Sequence, residues 1–124
     1  MELIIGGAYQ GKLEFAKETY HLTDADVFEC SGTEIDFTKP CIHGLQEFVY
    51  ACVRENMDAL EYLKAHETQW ENSILICQDL FCGVGPLGAD LRAWRQNTGL
   101  ICQYLAKKAD SVSRIYCGLE QKLK

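Results

Sequence analysis

Long hydrophobic runs, an excess of basic residues and closely paired cysteines are all lacking in this sequence. No apolar run approaches the length of a membrane span and no charged-then-apolar leader is evident, so we expect a cytoplasmic protein without membrane contact. Asp and Glu, 18 in number, exceed the 12 Lys and Arg residues and give a net charge of -6 at pH 7. This balance argues against general nucleic-acid binding, which needs a basic face, but it permits a single nucleotide held by local N–H donors.

The seven cysteines are scattered along the chain, odd in number and without a C-x-x-C pair. A disulfide framework or a zinc site would show closer, paired spacing. Most of the cysteines lie in apolar stretches, where a free thiol behaves as a small hydrophobic group. We therefore predict reduced core residues, with Cys82 as the exception because it lies in a predicted loop.

Composition and periodicity together predict one α/β domain over residues 1–124. Hydrophobic residues make up 48% of the chain and charged residues 24%, as in a folded globular protein. Apolar runs and helical spacing alternate along the chain, which predicts a mostly parallel sheet flanked by helices on both faces. The predicted strands are 3–5, 27–30, 73–79 and 111–117, and a loop is predicted at 31–40. Helices are predicted at 13–20 and 86–108. A further long helical pattern follows Pro40, bends near Asn56 and ends in the polar stretch 67–72.

The first dozen residues carry the most specific motif. Gly6 and Gly7 follow the first strand, and Gly11 and Lys12 follow at the spacing of a phosphate-binding loop, G-x-x-x-x-G-K. Glycines let backbone N–H groups converge on an anion, the helix N-terminus adds partial positive charge, and the lysine supplies a mobile cation. The alternative is an ordinary glycine-rich turn with a solvated lysine. The nucleotide-binding residues predicted from this motif are Gly6, Gly7, Ala8, Tyr9, Gln10, Gly11, Lys12 and Leu13.

Leu13 departs from the motif, which places a Ser or Thr hydroxyl at this position to bind Mg²⁺. A leucine cannot ligate a hard cation, so any metal must be held from elsewhere or through water. Asp79, at the end of the predicted strand 73–79, is the candidate for that role, because a carboxylate at the tip of such a strand can hold Mg²⁺ or its waters. The alternative for Asp79 is a surface residue that caps the next turn.

The predicted helix 86–108 has the strongest periodicity in the chain, and Pro86 suits its first turn. Right-handed crossovers are expected to bring the first loop and Asp79 to the same carboxyl edge of the sheet. On one side of the helix, Arg92 and Arg95 either reach an anionic ligand from its first turns or are solvated surface arginines. An apolar stripe on another side is predicted to be core without chemistry, and its members are Leu87, Leu91, Trp94, Thr98, Ile101 and Leu105.

Two stretches resemble the bifunctional adenosylcobinamide kinase/adenosylcobinamide-phosphate guanylyltransferase family of cobalamin biosynthesis. The loop GGAYQGK at 6–12 is similar to the family's G-G-A-R-S-G-K-S. The second stretch contains two motifs. Its first part, QDLFCGVGP at 78–86, is similar to the family's N-E-V-G-x-G-I-V-P. The following RAWRQ at 92–96, with Gly99 and Gln103, is similar to the family's R-x-F-R-D-x-x-G-R-x-N-Q. The end of the chain, from ADSV at 109–112 to Gly118 and Lys124, matches A-D-E-V-x-x-V-x-x-G-x-x-x-x-x-K.

The resemblance implies a P-loop NTPase-like three-layer fold that uses ATP or GTP with Mg²⁺ to phosphorylate a hydroxyl of a cobinamide-like acceptor. It implies that Lys12 and Asp79 are catalytic, that Asp79 is also the metal ligand, and that Arg92 and Arg95 bind substrate. It also implies a homo-oligomer, since members of the family form trimers. The segment with the family's guanylylated histidine has no counterpart here, because His43 stands in CIHG at 41–44 without basic neighbours, which argues against guanylyl transfer.

Two other functions remain open at the level of sequence. The substitutions at Leu13 and in the 78–81 stretch, together with the missing histidine segment, suggest a catalytically degenerate relative. Such a protein would bind a nucleotide, a corrinoid or a protein partner without turnover. A small nucleotide or metabolite kinase unrelated to cobalamin is the other possibility. As an isolated residue, His43 is expected to start a helix or to be partly buried.

Overall fold

A computed structural model describes residues 1–80 and 88–124. Within these ranges a six-stranded sheet has the strand order β2-β3-β4-β1-β5-β6. Its strands are β1 (Glu2–Gly6), β2 (Val27–Glu29), β3 (Cys41–His43), β4 (Ile74–Gln78), β5 (Ser111–Tyr116) and β6 (Leu119–Lys122). The α-helices are α1 (Lys12–Tyr20), α2 (Leu45–Arg54), α3 (Ala59–Ala65), α4 (Glu67–Trp70) and α5 (Ala89–Lys108), and a 3₁₀ turn spans Asp24–Asp26.

The sheet is parallel except for β6, which pairs antiparallel with β5. The central strand β1 lies between β4 and β5, and its Leu3 is opposite Leu75 and Val112. All three of these side chains are buried. Strands covered on both faces carry nearly continuous apolar runs, which explains the sequence of β1 and β4. The predicted α/β fold with a mostly parallel sheet flanked by helices is confirmed.

Alternate residues of the strands face two separate apolar clusters. One face of the sheet packs Ile4, Ile76 and Ile115 against Ala16 of α1. The opposite face packs Leu3, Leu75 and Cys77 against residues of α2, α3 and α5. The resulting order of helix, sheet and helices makes three layers, with α1 and α5 on opposite sides of β1.

Strand β3 was missed by the sequence analysis, which predicted helical periodicity after Pro40. Cys41 and Ile42 are completely buried in the sheet, between β2 and β4. Three residues are too few to display the alternation of a strand, so the pattern of the following helix obscured it. The helix begins only after Gly44, whose φ of +76° turns the chain at the N-cap of α2.

The predicted bend near Asn56 is a complete break between two helices. Helix α2 ends at Arg54, and Asn56 has a φ of +55°. Asp58 then caps α3 by accepting a hydrogen bond from the backbone N–H of Glu61 at 3.1 Å. The left-handed backbone at residue 56 and the new N-cap account for the break.

The polar stretch 67–72, predicted to end the helical region, contains the short helix α4. Trp70 at its end is 1% exposed, and its indole N–H donates to the carbonyl of Leu63 at 2.8 Å. Burial of one large aromatic side chain therefore organises a segment whose other residues are polar.

The last residues of the chain also form a strand that the sequence analysis did not predict. Strands β5 and β6 are joined through Cys117 and Gly118, with φ values of +52° and +76°. Positive φ at both central residues defines the tight hairpin turn that matches strand twist. All four residues of β6 are exposed, so this strand lacks the apolar run by which the inner strands were predicted.

The cysteines lie largely where they were predicted. Cys30, Cys41, Cys52 and Cys77 are buried, and Cys102 is half-buried. Burial raises the pKa of Cys30 to about 12 and the pKa values of Cys41 and Cys52 to about 11. Cys117 corrects the prediction, because the hairpin turn exposes it to solvent.

The predicted apolar stripe of α5 is only partly core. Thr98, Ile101 and Leu105 are buried, whereas Leu91 is 37% exposed near the start of the helix. Cys82, Pro86 and Leu87, to which the sequence analysis assigned a loop and a helix start, lie outside the described residues. None of the helices described here combines the length and the apolar composition required to cross a bilayer.

Candidate functional site

The glycine loop (residues 7–11) and Asp79 lie beside each other at the carboxyl edge of the sheet. Strands β1 and β4 are parallel neighbours that end in register, with Gly6 opposite Gln78. The backbone N–H of Asp79 donates to the carbonyl of Gly6 at 2.7 Å. The carboxyl ends of adjacent parallel strands are the usual position of ligand sites in open α/β sheets.

The backbone of the glycine loop is held in conformations that turn it sharply into α1. Tyr9 has a φ of +59°, and Gly11, the N-cap of α1, has a φ of +91°. Within the described ranges no side chain caps α1 at Gly11, so the first N–H groups of this nine-residue helix keep their capacity to bind an anion. The Tyr9 side chain is fully exposed beside them.

Gly6 is required by close packing between β1 and β5. A Cβ atom on Gly6 would lie 2.6 Å from the carbonyl oxygen of Ile115 and 3.4 Å from the side chain of Lys12. A backbone oxygen cannot move aside as a flexible side chain can, so any larger residue at position 6 must displace a strand. Gly7 differs, because the nearest atom to its Cβ position is Cγ of Gln10 at 3.6 Å.

Lys12 is the buried cation of the site. Its residue is 8% exposed, and its Nζ donates to the carbonyl of Gly7 at 2.6 Å. Burial lowers the pKa of Lys12, while the charges of Cys77, Glu14 and Asp79 act in the opposite direction. A lysine held over a glycine loop with its charge only partly compensated is suited to bind an anion.

The hairpin β5–β6 holds the glycine loop from the other side. The Gln10 side-chain oxygen accepts a hydrogen bond from the backbone N–H of Cys117 at 2.6 Å. The backbone N–H of Gly118 donates to the Gln10 carbonyl at 2.9 Å. This contact was missed because it joins residues more than a hundred positions apart, and no local pattern at Gln10 indicates it.

Leu13 packs its side chain into the apolar cluster between α1 and the sheet. Only the backbone of Leu13, in the first turn of α1, therefore belongs to the site. Its side chain supplies no ligand. The remaining members of the predicted loop, Ala8 and Gln10, are respectively exposed and half-buried.

Asp79 is a half-buried carboxylate between two cations. Loss of solvation raises its pKa, and the charges of Arg114 and Lys12 oppose this rise. Arg114 was missed by the sequence analysis, although its position in β5 opposite Ile5 places it beside this edge of the sheet. The alternation of buried and exposed residues in β5 was the available signal, but it does not indicate which strand lies next to β5.

A cavity of about 470 Å³ opens beside Asp79, between the ends of β1 and β4 and the helix α5. Gln78, Asp79, Arg95 and Gln103 contribute polar groups to its wall. Arg95 thus lines the same cavity as Asp79. Arg92 is exposed and does not line this cavity. The other lining residues are mainly apolar or small, namely Ile5, Leu80, Thr98, Gly99, Cys102 and Ala106.

Thr98, a residue of the cavity wall, has a buried hydroxyl group. The residue is 2% exposed, and its Oγ1 has no hydrogen-bond partner among residues 1–80 and 88–124. A buried hydroxyl without a partner is costly, and such a group in a native structure calls for an explanation. The sequence analysis had treated Thr98 as core, although a threonine within an apolar stripe was a detectable departure from the pattern.

Two neighbouring thiols lie at one wall of the cavity. The thiol of Cys102 on α5, together with burial, raises the pKa of Cys77 on β4. Cys102 lines the cavity, whereas Cys77 is completely buried behind it. Cys102 therefore contributes to the apolar character of this wall.

A divalent cation fits this site only with ligands from outside the protein. The described ranges contain no group of three or more His, Cys, Asp or Glu residues arranged to hold a metal. Mg²⁺, however, commonly binds through one or two carboxylates together with phosphates and water. The half-buried carboxylate of Asp79 beside the glycine loop meets that requirement.

His43 lies apart from the glycine loop, at the end of β3. Its side chain is 26% exposed, and its Nδ1 is bonded to the carboxylate of Glu29 at the end of the neighbouring strand β2. The pair is followed directly by Gly44 and α2. His43 is thus a partly buried histidine just before a helix.

Comparison of the sequence with protein-family models and with curated proteins found no match.

Proposed function

We propose that this protein is a nucleotide-binding phosphotransferase with a P-loop NTPase-like fold. It transfers the γ-phosphoryl group of ATP or GTP to a hydroxyl, and the family resemblance suggests a cobinamide-like acceptor in the cytoplasm. The observation that supports this most is buried Lys12, which starts α1 and donates to the Gly7 carbonyl at 2.6 Å beside Asp79. Glycine loop, helix N-terminus, lysine and carboxylate are the parts that phosphoryl transfer requires.

In the proposed step, an acceptor oxygen attacks the γ-phosphorus and the bond from that phosphorus to the β-phosphate oxygen breaks. The acceptor's proton passes to the carboxylate of Asp79, and the nucleoside diphosphate leaves. The backbone of residues 7–11 and the ammonium of Lys12 stabilise the negative charge on the phosphate oxygens. Arg95, on the wall of the adjacent cavity, would contact an anionic group of the substrates.

Mg²⁺ would neutralise phosphate charge when bound with the nucleotide. Asp79 is the residue that would hold it or orient its waters, since Leu13 supplies no hydroxyl. Its two proposed roles, metal ligand and proton acceptor, both depend on a carboxylate at this edge of the sheet.

Calorimetric titration with ATP and GTP, with and without Mg²⁺, tests the nucleotide site. We expect binding that is lost in Lys12→Ala and retained in Lys17→Ala, a matched control because Lys17 on the same helix pairs with Asp24 at the surface. Equal nucleotide affinity in wild type and Lys12→Ala would contradict the proposal.

A second candidate function is nucleotide, corrinoid or protein binding without turnover. Leu13 favours it, because the side chain that would normally ligate Mg²⁺ is apolar and packed away from the loop. A sensitive ATPase and GTPase assay with Mg²⁺ separates the two functions. Turnover that is abolished by Asp79→Ala supports the enzyme, whereas binding with no turnover supports the non-catalytic relative.

The resemblance also suggests a homotrimer, and sedimentation equilibrium tests this directly. We expect a species of three times the 14.0 kDa chain mass. A monomer at all concentrations would remove the trimer from the proposal without affecting the nucleotide site.

A further inference from the structure

We propose that the cavity between the carboxyl edge of the sheet and α5 binds the acceptor, and that this acceptor is a compact, mainly apolar alcohol. The inference rests on the proposed phosphotransferase function and specifies its substrate class. It is carried by the position of the cavity, the character of its wall and its volume.

The position of the cavity suits an acceptor. Asp79 belongs both to its wall and to the edge where the glycine loop begins, through the hydrogen bond to Gly6. An alcohol in the cavity can place its hydroxyl at the Asp79 carboxylate while its body extends toward α5. The oxygen would then face phosphates held at the N-terminus of α1, which is the arrangement needed for attack on phosphorus.

The wall of the cavity selects an apolar body. Away from Asp79, the lining consists largely of Ile5, Leu80, Cys102 and Ala106. Small-molecule sites are typically apolar with a few placed polar groups, and this one follows that rule. A strongly charged acceptor would lose hydration against these residues without replacing it.

The volume limits the size of the acceptor. At about 470 Å³ the cavity lies in the lower part of the range of roughly 300–1,000 Å³ for small-molecule sites. A whole corrinoid, with its macrocycle and many amide arms, is too large to enter a space of this size. The acceptor that fills the cavity is therefore smaller than the one suggested by the family resemblance.

The test measures binding of 4-hydroxybenzyl alcohol, 4-(hydroxymethyl)cyclohexanol and, for comparison, cobinamide, by calorimetry and thermal shift. Gly99→Phe fills the cavity from α5, and a Cβ on Gly99 meets no atom within 4 Å, so the helix accommodates the change. Leu100→Phe adds the same ring at an exposed neighbouring position outside the cavity wall. We expect Gly99→Phe to weaken binding of the small alcohols by about tenfold and Leu100→Phe to leave it unchanged.

The outcomes separate this inference from the proposed function. Three results would overturn this inference alone in a protein that binds nucleotide. They are the absence of saturable binding of either small alcohol, equal alcohol affinity in wild type and Gly99→Phe, and phosphorylation of cobinamide but of neither small alcohol. Alcohol binding at the cavity in a protein that binds no nucleotide overturns the proposed function and the acceptor role with it. Nucleotide-dependent phosphorylation of a small alcohol that is lost in Gly99→Phe supports both.

Discussion

At the scale of single residues, Lys12 shows how a proposed binding role and a stability cost coincide. Its ammonium is buried against the glycine loop with the Gly7 carbonyl as its hydrogen-bond acceptor, and burial lowers its pKa. The folded chain therefore holds the lysine proton less tightly than the unfolded chain does. Below the ordinary pKa of lysine, this difference favours unfolding.

The first prediction follows from the destabilising effect of the lowered pKa of Lys12. Lys12→Met keeps the aliphatic stem and removes the charge, so we expect a higher melting temperature than wild type at pH 7, together with loss of nucleotide binding. Wild-type stability should rise as pH increases from the lowered pKa of Lys12 toward the ordinary lysine pKa of 10.5, and the difference in melting temperature between the two proteins should narrow. Thermal melts of both proteins across this pH range measure the difference in melting temperature. A difference in melting temperature that widens at alkaline pH would contradict the prediction.

Two adjacent glycines provide the second prediction, because they differ in what surrounds them. Gly6→Ala would place Cβ 2.6 Å from the Ile115 carbonyl oxygen, whereas Gly7→Ala makes an ordinary contact at 3.6 Å. We expect Gly6→Ala to lower the free energy of unfolding by about 2 kcal/mol or more and Gly7→Ala to change it by less than about 1 kcal/mol. Urea denaturation compares them, and equal losses would show that β1 and β5 separate more easily than this packing implies.

At the scale of elements, the β5–β6 hairpin acts as a support for the glycine loop. Both of its turn residues have positive φ, and both of their backbone N–H groups bond to Gln10. The loop is thereby attached to two neighbouring parts of the sheet, β1 through the chain and β5 through the turn. Such support reduces the ordering that a bound nucleotide would otherwise have to impose.

The third prediction tests this support. Gln10→Ala removes the side-chain hydrogen bond to Cys117 and keeps the backbone one, so we expect nucleotide affinity to fall by about threefold to tenfold. Cys117→Asn introduces the residue preferred before glycine in this turn, and we expect a small gain in stability with nucleotide affinity unchanged. Calorimetry of both variants is decisive, since unchanged affinity in Gln10→Ala would show that the loop is ordered without the hairpin.

Helix α5 shows how an element with one strong pattern can have two roles. Ile101 and Leu105 pack in the core, while Thr98, another member of the same stripe, and Cys102, next to Ile101, line the cavity. Periodicity identified the buried face correctly. It could not distinguish a position that packs against the sheet from one that faces a cavity beside it, because both are withdrawn from water.

At the scale of the whole molecule, nucleotide binding should be coupled to stability. The proposed ligand contacts join β1, α1 and β4, which meet only in the folded chain. A ligand that binds the folded state alone stabilises it by mass action, by about 2.7 kcal/mol at a hundred times its dissociation constant.

The fourth prediction is the size of that effect. For a chain of 124 residues we expect saturating nucleotide with Mg²⁺ to raise the melting temperature by about 10 °C. Differential scanning fluorimetry of wild type, Lys12→Ala and Lys17→Ala measures the shift, which should vanish only in Lys12→Ala. A shift of equal size in all three proteins would indicate binding elsewhere on the molecule.

Much of this organisation was predictable from local sequence. Apolar runs are sufficient to identify β1 and β4 because strands covered on both faces need them, and helical spacing identifies α1, α2 and α5. The glycine spacing and Lys12 indicated the loop because its chemistry depends on consecutive residues. Strands β3 and β6 were not predictable, since the helical pattern of α2 follows one of them closely and the other is entirely exposed.

Tertiary structure decided which distant residues share the site. The charge of Arg114 acts on the pKa of Asp79 because β5 pairs with β1, and Gln10 bonds to Cys117 because the hairpin returns to the same edge. The cavity and the unpaired hydroxyl of Thr98 exist only where α5 crosses the ends of β1 and β4. Sequence patterns report which side chains avoid water along one element, whereas a site depends on the packing between elements, which no local pattern contains.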